Sequence, residues 1–98
     1  MRILREPFAF EWDAGNKGKN FRLHHVTDEE CEEVFFDSGK KLLRDALHSG
    51  SEERCILIGA TKTKRMLFIA FTLRKNNIRI ISARDLNRRE RHLYEKAS

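Results

Sequence analysis

The chain has 98 residues, 36% of them charged and 40% hydrophobic, with 20 Lys and Arg against 15 Asp and Glu. That length suits one core and so a single domain spanning residues 1–98. No run approaches the roughly eighteen apolar residues of a membrane-spanning helix, and Met1 to Pro7 holds no apolar signal stretch, so a cytoplasmic protein without a membrane partner is expected.

The elements read in chain order as follows. Phe8 to Trp12 alternates aromatic and other residues, which suits a short strand. Asp13 offers an N-cap for a helix over Ala14 to His25, although Gly15 and Gly18 weaken it by about 1 kcal/mol each relative to Ala. Lys17, Phe21 and His24 or His25 would share one face. Thr27-Asp28-Glu29-Glu30 is a capping-box signature. It opens a helix to about Phe36 with an apolar stripe of Cys31, Val34 and Phe35 and an acidic outer face. Lys40 to Asp45 reads as a short strand and Arg54 to Gly59 as another. Lys62 to Arg65 is a basic turn, Met66 to Leu73 an apolar strand, and Arg74 to Asn77 a hairpin loop. Ile78 to Arg84 pairs back. Period two separates Ile78, Ile80, Ser82 and Arg84 from Arg79, Ile81 and Ala83. Asp85 or Asn87 caps a last helix, with Glu90 at capping distance from Asn87. Leu86, Leu93 and Ala97 would face the sheet, and Arg88, Arg91 and His92 would face away. A strand, two helices, three or four antiparallel strands and a final helix make an α+β protein.

The charge is concentrated at one end. Residues 74–98 hold eight Lys and Arg and three Asp and Glu, whereas residues 1–73 hold twelve of each, so the whole net charge of +5 lies in the last quarter. A localised positive field attracts polyanions, nucleic acid first among them. Arg54, Arg65, Arg79 and Arg84 cluster near strand ends. Guanidinium groups bind phosphate through paired hydrogen bonds and stay charged at any working pH. The bland alternative for each is an ion pair with an acid of the helix Asp28 to Asp37.

Other chemistry has little support. The histidines His24, His25, His48 and His92 sit in no HExxH pattern, the serines in no GxSxG, and no phosphate-binding glycine loop occurs. No metal or cofactor is expected. Cys31 and Cys55 lack CxxC spacing and read as buried, reduced thiols. Trp12 suits the core, and Tyr94 either packs on the sheet or stacks on a base.

Over residues 10 to 94 the chain resembles the BrnT toxin family. The likeness rests on Phe10-Glu11-Trp12-Asp13, Lys17, Asn20 and His24, then Val34-Phe35 and Asp37, then Glu53-Arg54, Gly59 and Phe71-Thr72. It is most specific in Arg79-Ile80-Ile81-Ser82-Ala83-Arg84 with Glu90-Arg91 and Tyr94. The chain departs from it at Leu23-His24-His25-Val26, where the family commonly carries Lys-His-Gly-Val. The resemblance implies a RelE-like α+β fold: an antiparallel sheet of about four strands with two N-terminal helices and one C-terminal helix. It also implies a ribonuclease toxin of a type II toxin–antitoxin module that arrests translation. The implied partners are RNA and a ribbon-helix-helix antitoxin, BrnA-like, with operator DNA bound only through the antitoxin complex.

On this reading RNA supplies its own nucleophile, the 2′-hydroxyl, and a metal-independent endoribonuclease need only position it and stabilise the phosphorane. Arg79 and Arg84 are the expected phosphate clamps, with Arg54 and Arg65 completing the pocket and His24 or Glu53 as general base. Lys62, Lys64, Arg88, Arg91 and Tyr94 would hold the flanking RNA. Two other readings stand beside it. One is a module that binds nucleic acid without cleaving it. The other is a structural partner whose arginines only pair with acids of an antitoxin.

Overall fold

The computed structural model describes residues 8–44, 54–74 and 77–96. Its elements are β1 (Ala9–Phe10), α1 (Lys19–His24), α2 (Asp28–Val34), β2 (Lys41–Arg44), β3 (Arg54–Ala60), β4 (Met66–Arg74), β5 (Asn77–Asp85) and α3 (Arg88–Glu95). The fold is α+β, with one five-stranded sheet in the order β1-β5-β4-β3-β2. Strands β2 to β5 are antiparallel neighbours, but β1 runs parallel to β5. The expected all-antiparallel sheet of about four strands is therefore corrected to a mixed one of five. The physical reason is that β1 reaches β5 only after the helices and three other strands, and it arrives in the same direction. None of these helices is long and apolar enough to cross a membrane.

The N-terminal helix is shorter than its pattern. Residues 14–18 form turns, and α1 starts only after Gly18, whose φ of 71° lies in the left-handed region that glycine tolerates best. Asp13 caps a turn rather than a helix, accepting a hydrogen bond from Gly15 N–H at 2.8 Å. The buried face belongs to Asn16 and Asn20, while Phe21 stays exposed. These asparagines take over where the two-residue β1 ends. Asn16 Nδ2 donates to the carbonyls of Glu11 (2.9 Å) and Ile80 (3.1 Å), and Asn20 Oδ1 accepts from Ala83 N–H at 2.9 Å. Side chains thus satisfy β5 backbone groups that a longer edge strand would have paired.

The capping box of α2 is formed: Thr27 Oγ1 accepts from Glu30 N–H, and the Glu30 carboxylate accepts from Thr27 N–H. Cys31, Val34 and Phe35 are fully buried. They pack with Leu57, Leu67, Ile69, Phe71, Ile78, Ile80 and Ala83 as the core, so α1 and α2 cover one face of the sheet. Both cysteines are buried, and burial pushes the Cys31 thiol up to about 12, which keeps it inert.

Helix α3 lies on the opposite face, at one end. Its Asn87–Glu90 capping box is formed, and Asp85 is engaged elsewhere. Arg84 ties it to the sheet through Glu90, and Lys41 Nζ donates to the Lys96 carbonyl. Leu86 is buried, but Leu93 is 45% exposed rather than turned fully to the sheet. Ala97, and the loop residues Lys75 and Asn76, lie outside the described residues. Arg74 and Asn77, expected in that loop, are paired strand residues.

Candidate nucleic-acid interface on the open sheet face

Register decides which arginines meet. Cross-strand partners share a face, and strict alternation along β5 would send Arg79 and Arg84 to opposite faces. The ladder is broken by a bulge: Phe71 pairs with Ile80, but Ala70 pairs with Ser82. Ile81 is the extra residue, and beyond it the phase shifts by one. Ile78, Ile80 and Ala83 all enter the core. Arg79, Ser82 and Arg84 consequently share the face away from α1 and α2.

On that face Arg54 pairs with Thr72, and Thr72 with Arg79. Two arginines flank one threonine in a single row across β3, β4 and β5. Their Cα atoms are two strand spacings apart, roughly 10 Å. Arginine side chains are long enough to span a gap of that size. Arg74 lies two residues further along β4 and faces the same way. Its charge helps hold the nearby Asp13 carboxyl below its usual range. The sequence reading missed Thr72 and Arg74 as site residues. Alternation carried one residue further along Phe68, Ala70, Thr72 and Arg74 was the available signal.

Arg79 is held by Asp13. Nη1 donates to Oδ2 at 2.7 Å and Nη2 to Oδ1 at 3.1 Å. The Arg79 bond, with the Gly15 N–H, depresses the Asp13 carboxyl.

The other two arginines lie elsewhere. Arg84 pairs with Phe68 four residues along β4 from Thr72, about 13 Å from the row. Both its terminal nitrogens bond Glu90 at 2.8 Å, and its guanidinium sits 4.0 Å over the Phe68 ring. Glu90 raises the Arg84 pKa, and Arg84 in turn lowers that of Glu90. Arg65 closes the β3–β4 turn, and its side chain points toward the helices. It donates to Asp85 (2.7 and 3.2 Å), Glu30 (3.2 Å) and the His25 carbonyl (2.8 Å). Arg65 makes the ion pair expected with α2, whereas Arg79 and Arg84 pair with Asp13 and Glu90.

The remaining candidates are dispersed. His24 is exposed on α1, and its carbonyl accepts from Arg65, at the end of the sheet away from the arginine row. Glu53 lies outside the described residues. Lys62 and Lys64 line a cleft of about 610 Å³ with Glu29, Glu32, Glu33 and Phe36. Arg88 and Arg91 are exposed on α3. Tyr94 is half-buried and its hydroxyl donates to Asp37 Oδ2 at 2.7 Å. Burial and the Asp37 bond push that hydroxyl up to about 12. Asp37 also accepts from the N–H groups of Ala60 (2.8 Å) and Gly39 (3.0 Å). Burial works against its charge, but Tyr94 and these donors hold its carboxyl low. Among the described residues no group of three His, Cys, Asp or Glu could hold a metal ion.

The model of one family, described as the ribonuclease toxin BrnT of type II toxin–antitoxin systems, matches residues 12–90. The chain belongs to the BrnT family. No match was found among curated proteins. The BrnT match runs from Trp12 to Glu90. It therefore takes in the Asp13 turn, the whole Arg54–Thr72–Arg79 row and the carboxylate that holds Arg84. Tyr94 and Arg91 lie past its end.

Proposed function

We propose that this BrnT-family chain is a metal-independent endoribonuclease and that it acts on the open sheet face. The observation that carries the reading is the row Arg54–Thr72–Arg79 with Arg74 beside it. It sets two arginines and a threonine side by side on one face, and an RNA phosphodiester suits that set of donors. The 2′-oxygen attacks phosphorus and loses its proton, the P–O5′ bond breaks, and the 5′-oxygen takes a proton. The products are a 2′,3′-cyclic phosphate and a 5′-hydroxyl. Arg54 and Arg79 stabilise the extra negative charge of the phosphorane, the largest electrostatic demand of the reaction. The basic surfaces of α3 and of the β3–β4 turn hold the flanking strand, so affinity falls with salt. A ribbon-helix-helix antitoxin that covers this face would inhibit cleavage.

The test is incubation of the purified chain with single-stranded RNA in EDTA, beside Arg79→Ala. Cleavage by the unsubstituted chain and its loss in the variant are expected. Full activity in Arg79→Ala would refute the role of the row. A second reading, a module that binds RNA without cutting it, is favoured by one observation: Arg65, Arg79 and Arg84 are each ion-paired within the chain. On that reading RNA is bound with salt sensitivity and stays intact.

A further inference from the structure

The Phe10-Glu11-Trp12-Asp13 motif ends in a carboxylate that the ribonuclease reading leaves without a role. We infer that Asp13 is a positioning residue for that reaction: it fixes the orientation of the Arg79 guanidinium beside the row, and Gly15 makes room for it. The inference rests on the ribonuclease reading.

Three observations join here. Both terminal nitrogens of Arg79 bond the two oxygens of one carboxylate, which sets the plane of the guanidinium. Nε is not used by Asp13, and each terminal nitrogen gives it one bond. The carboxylate is itself fixed, because Oδ1 accepts from Gly15 N–H at 2.8 Å. Finally, Gly15 leaves space for the guanidinium: a Cβ there would stand 3.0 Å from Arg79 Nη2 and 3.1 Å from Asp13 Oδ1. The turn thus cradles the guanidinium from the sheet edge. Arg79 is the more enclosed member of the pair, with 19% of its side chain exposed against 59% for Asp13.

The chemistry of such a pair separates rate from affinity. An arginine has several rotatable bonds, and one already held in place loses no further freedom as charge develops on the phosphorane. The same carboxylate puts a negative charge beside the site, which opposes binding of a polyanion. Removing that charge should slow chemistry while leaving RNA binding equal or tighter. A residue that merely stabilised the fold would not produce that split.

The experiment compares the unsubstituted chain with Asp13→Asn, Gly15→Ala, Arg79→Lys and the Asp13→Asn/Arg79→Lys pair. RNA is offered free in EDTA and, separately, in a translating extract. Affinity is read with 2′-O-methyl RNA, which lacks the nucleophile, and thermal melts accompany each variant. Asp13→Asn is expected to lower kcat by about 10- to 100-fold, with affinity for 2′-O-methyl RNA unchanged or higher. Gly15→Ala should act in the same direction by pushing the guanidinium aside, and it serves if Asp13→Asn does not fold. In the Arg79→Lys background Asp13→Asn should add little further loss. Unchanged kcat, a loss that adds in full to that of Arg79→Lys, or a rate loss matched by weaker binding would overturn the inference. RNA left intact by the unsubstituted chain in both settings overturns the ribonuclease reading and this inference with it. Cleavage by that chain together with an unaffected Asp13→Asn overturns this inference alone.

Discussion

Gly59→Ala tests the packing that seats α2 and α3 on the sheet. Gly59 lies in β3 opposite Leu67, under the end of α2. A Cβ at this position would stand 2.9 Å from Val34 Cγ1, 3.1 Å from Asp37 Oδ2 and 3.3 Å from Lys40 Cβ. Val34 is fully buried and has no room to retreat. Asp37 is held by Ala60 N–H, Gly39 N–H and the Tyr94 hydroxyl. Overpacking a core by one methyl costs about 1–3 kcal/mol. Stretching one charge-assisted hydrogen bond adds about 1 kcal/mol. Against this, alanine is favoured over glycine within a strand by about 0.5–1 kcal/mol. The net expectation is a loss of about 2–3 kcal/mol, a large share of a domain's marginal stability. At 98 residues each kcal/mol lowers Tm by about 4–8 °C, so a drop of roughly 10–20 °C is expected. Thermal and urea unfolding followed by circular dichroism measure it. A drop below about 4 °C, or any gain, would mean that Val34 and Asp37 yield without cost, and the argument would fail.

Tyr94→Phe removes the hydroxyl that bonds Asp37 and should cost about 1–2 kcal/mol; affinity for RNA should hold, and a selective loss of RNA binding at unchanged stability would instead assign Tyr94 to the nucleic-acid surface. His25 stands at φ 58° and ψ 32° as the C-cap of α1, a left-handed conformation that glycine adopts without strain. His25→Gly should therefore raise stability by about 0.5–1 kcal/mol, and a lower urea midpoint would contradict this. Asp13, Asp37, Asp85 and Glu90 are all held below their ordinary carboxylate values by hydrogen-bond donors. Their folded pKa values lie below the unfolded ones, so their contribution is complete above the unfolded values near 4 and is lost as pH falls through the folded ones. Urea midpoints measured from pH 7 down to pH 3 should be flat above about pH 5 and fall below it; a midpoint that rises on acidification would refute the sign.

Much of this was legible in the residues. Both capping boxes, the Cys31–Val34–Phe35 stripe and strands β3 to β5 follow from local rules: a hydroxyl or amide three residues before a glutamate, and apolar periodicity. The basic last quarter and the family followed from residues that stand close in sequence. What was misread was long-range. The helix pattern over Ala14 to His25 held no sign that Asn16 and Asn20 would be drawn to the β5 backbone, which fixes the turn and shortens the helix. Alternation along β5 gave no sign of the bulge at Ile81, because a bulge is a property of two paired strands. Phase on one strand alone therefore set Arg79 and Arg84 on opposite faces.

The candidate site divides in the same way. The sequence by itself determined which side chains carry charge, where most strands and helices lie, and the family, because these depend on composition and on neighbours within a few positions. Only the tertiary structure decided that Arg54, Thr72 and Arg79 form one row, that Arg65 and Arg84 lie away from it, and that Asp13 holds Arg79 from 66 residues away. Strand register and ion pairing bring together residues that are distant in the chain, and no periodicity within one segment encodes the partner it will meet.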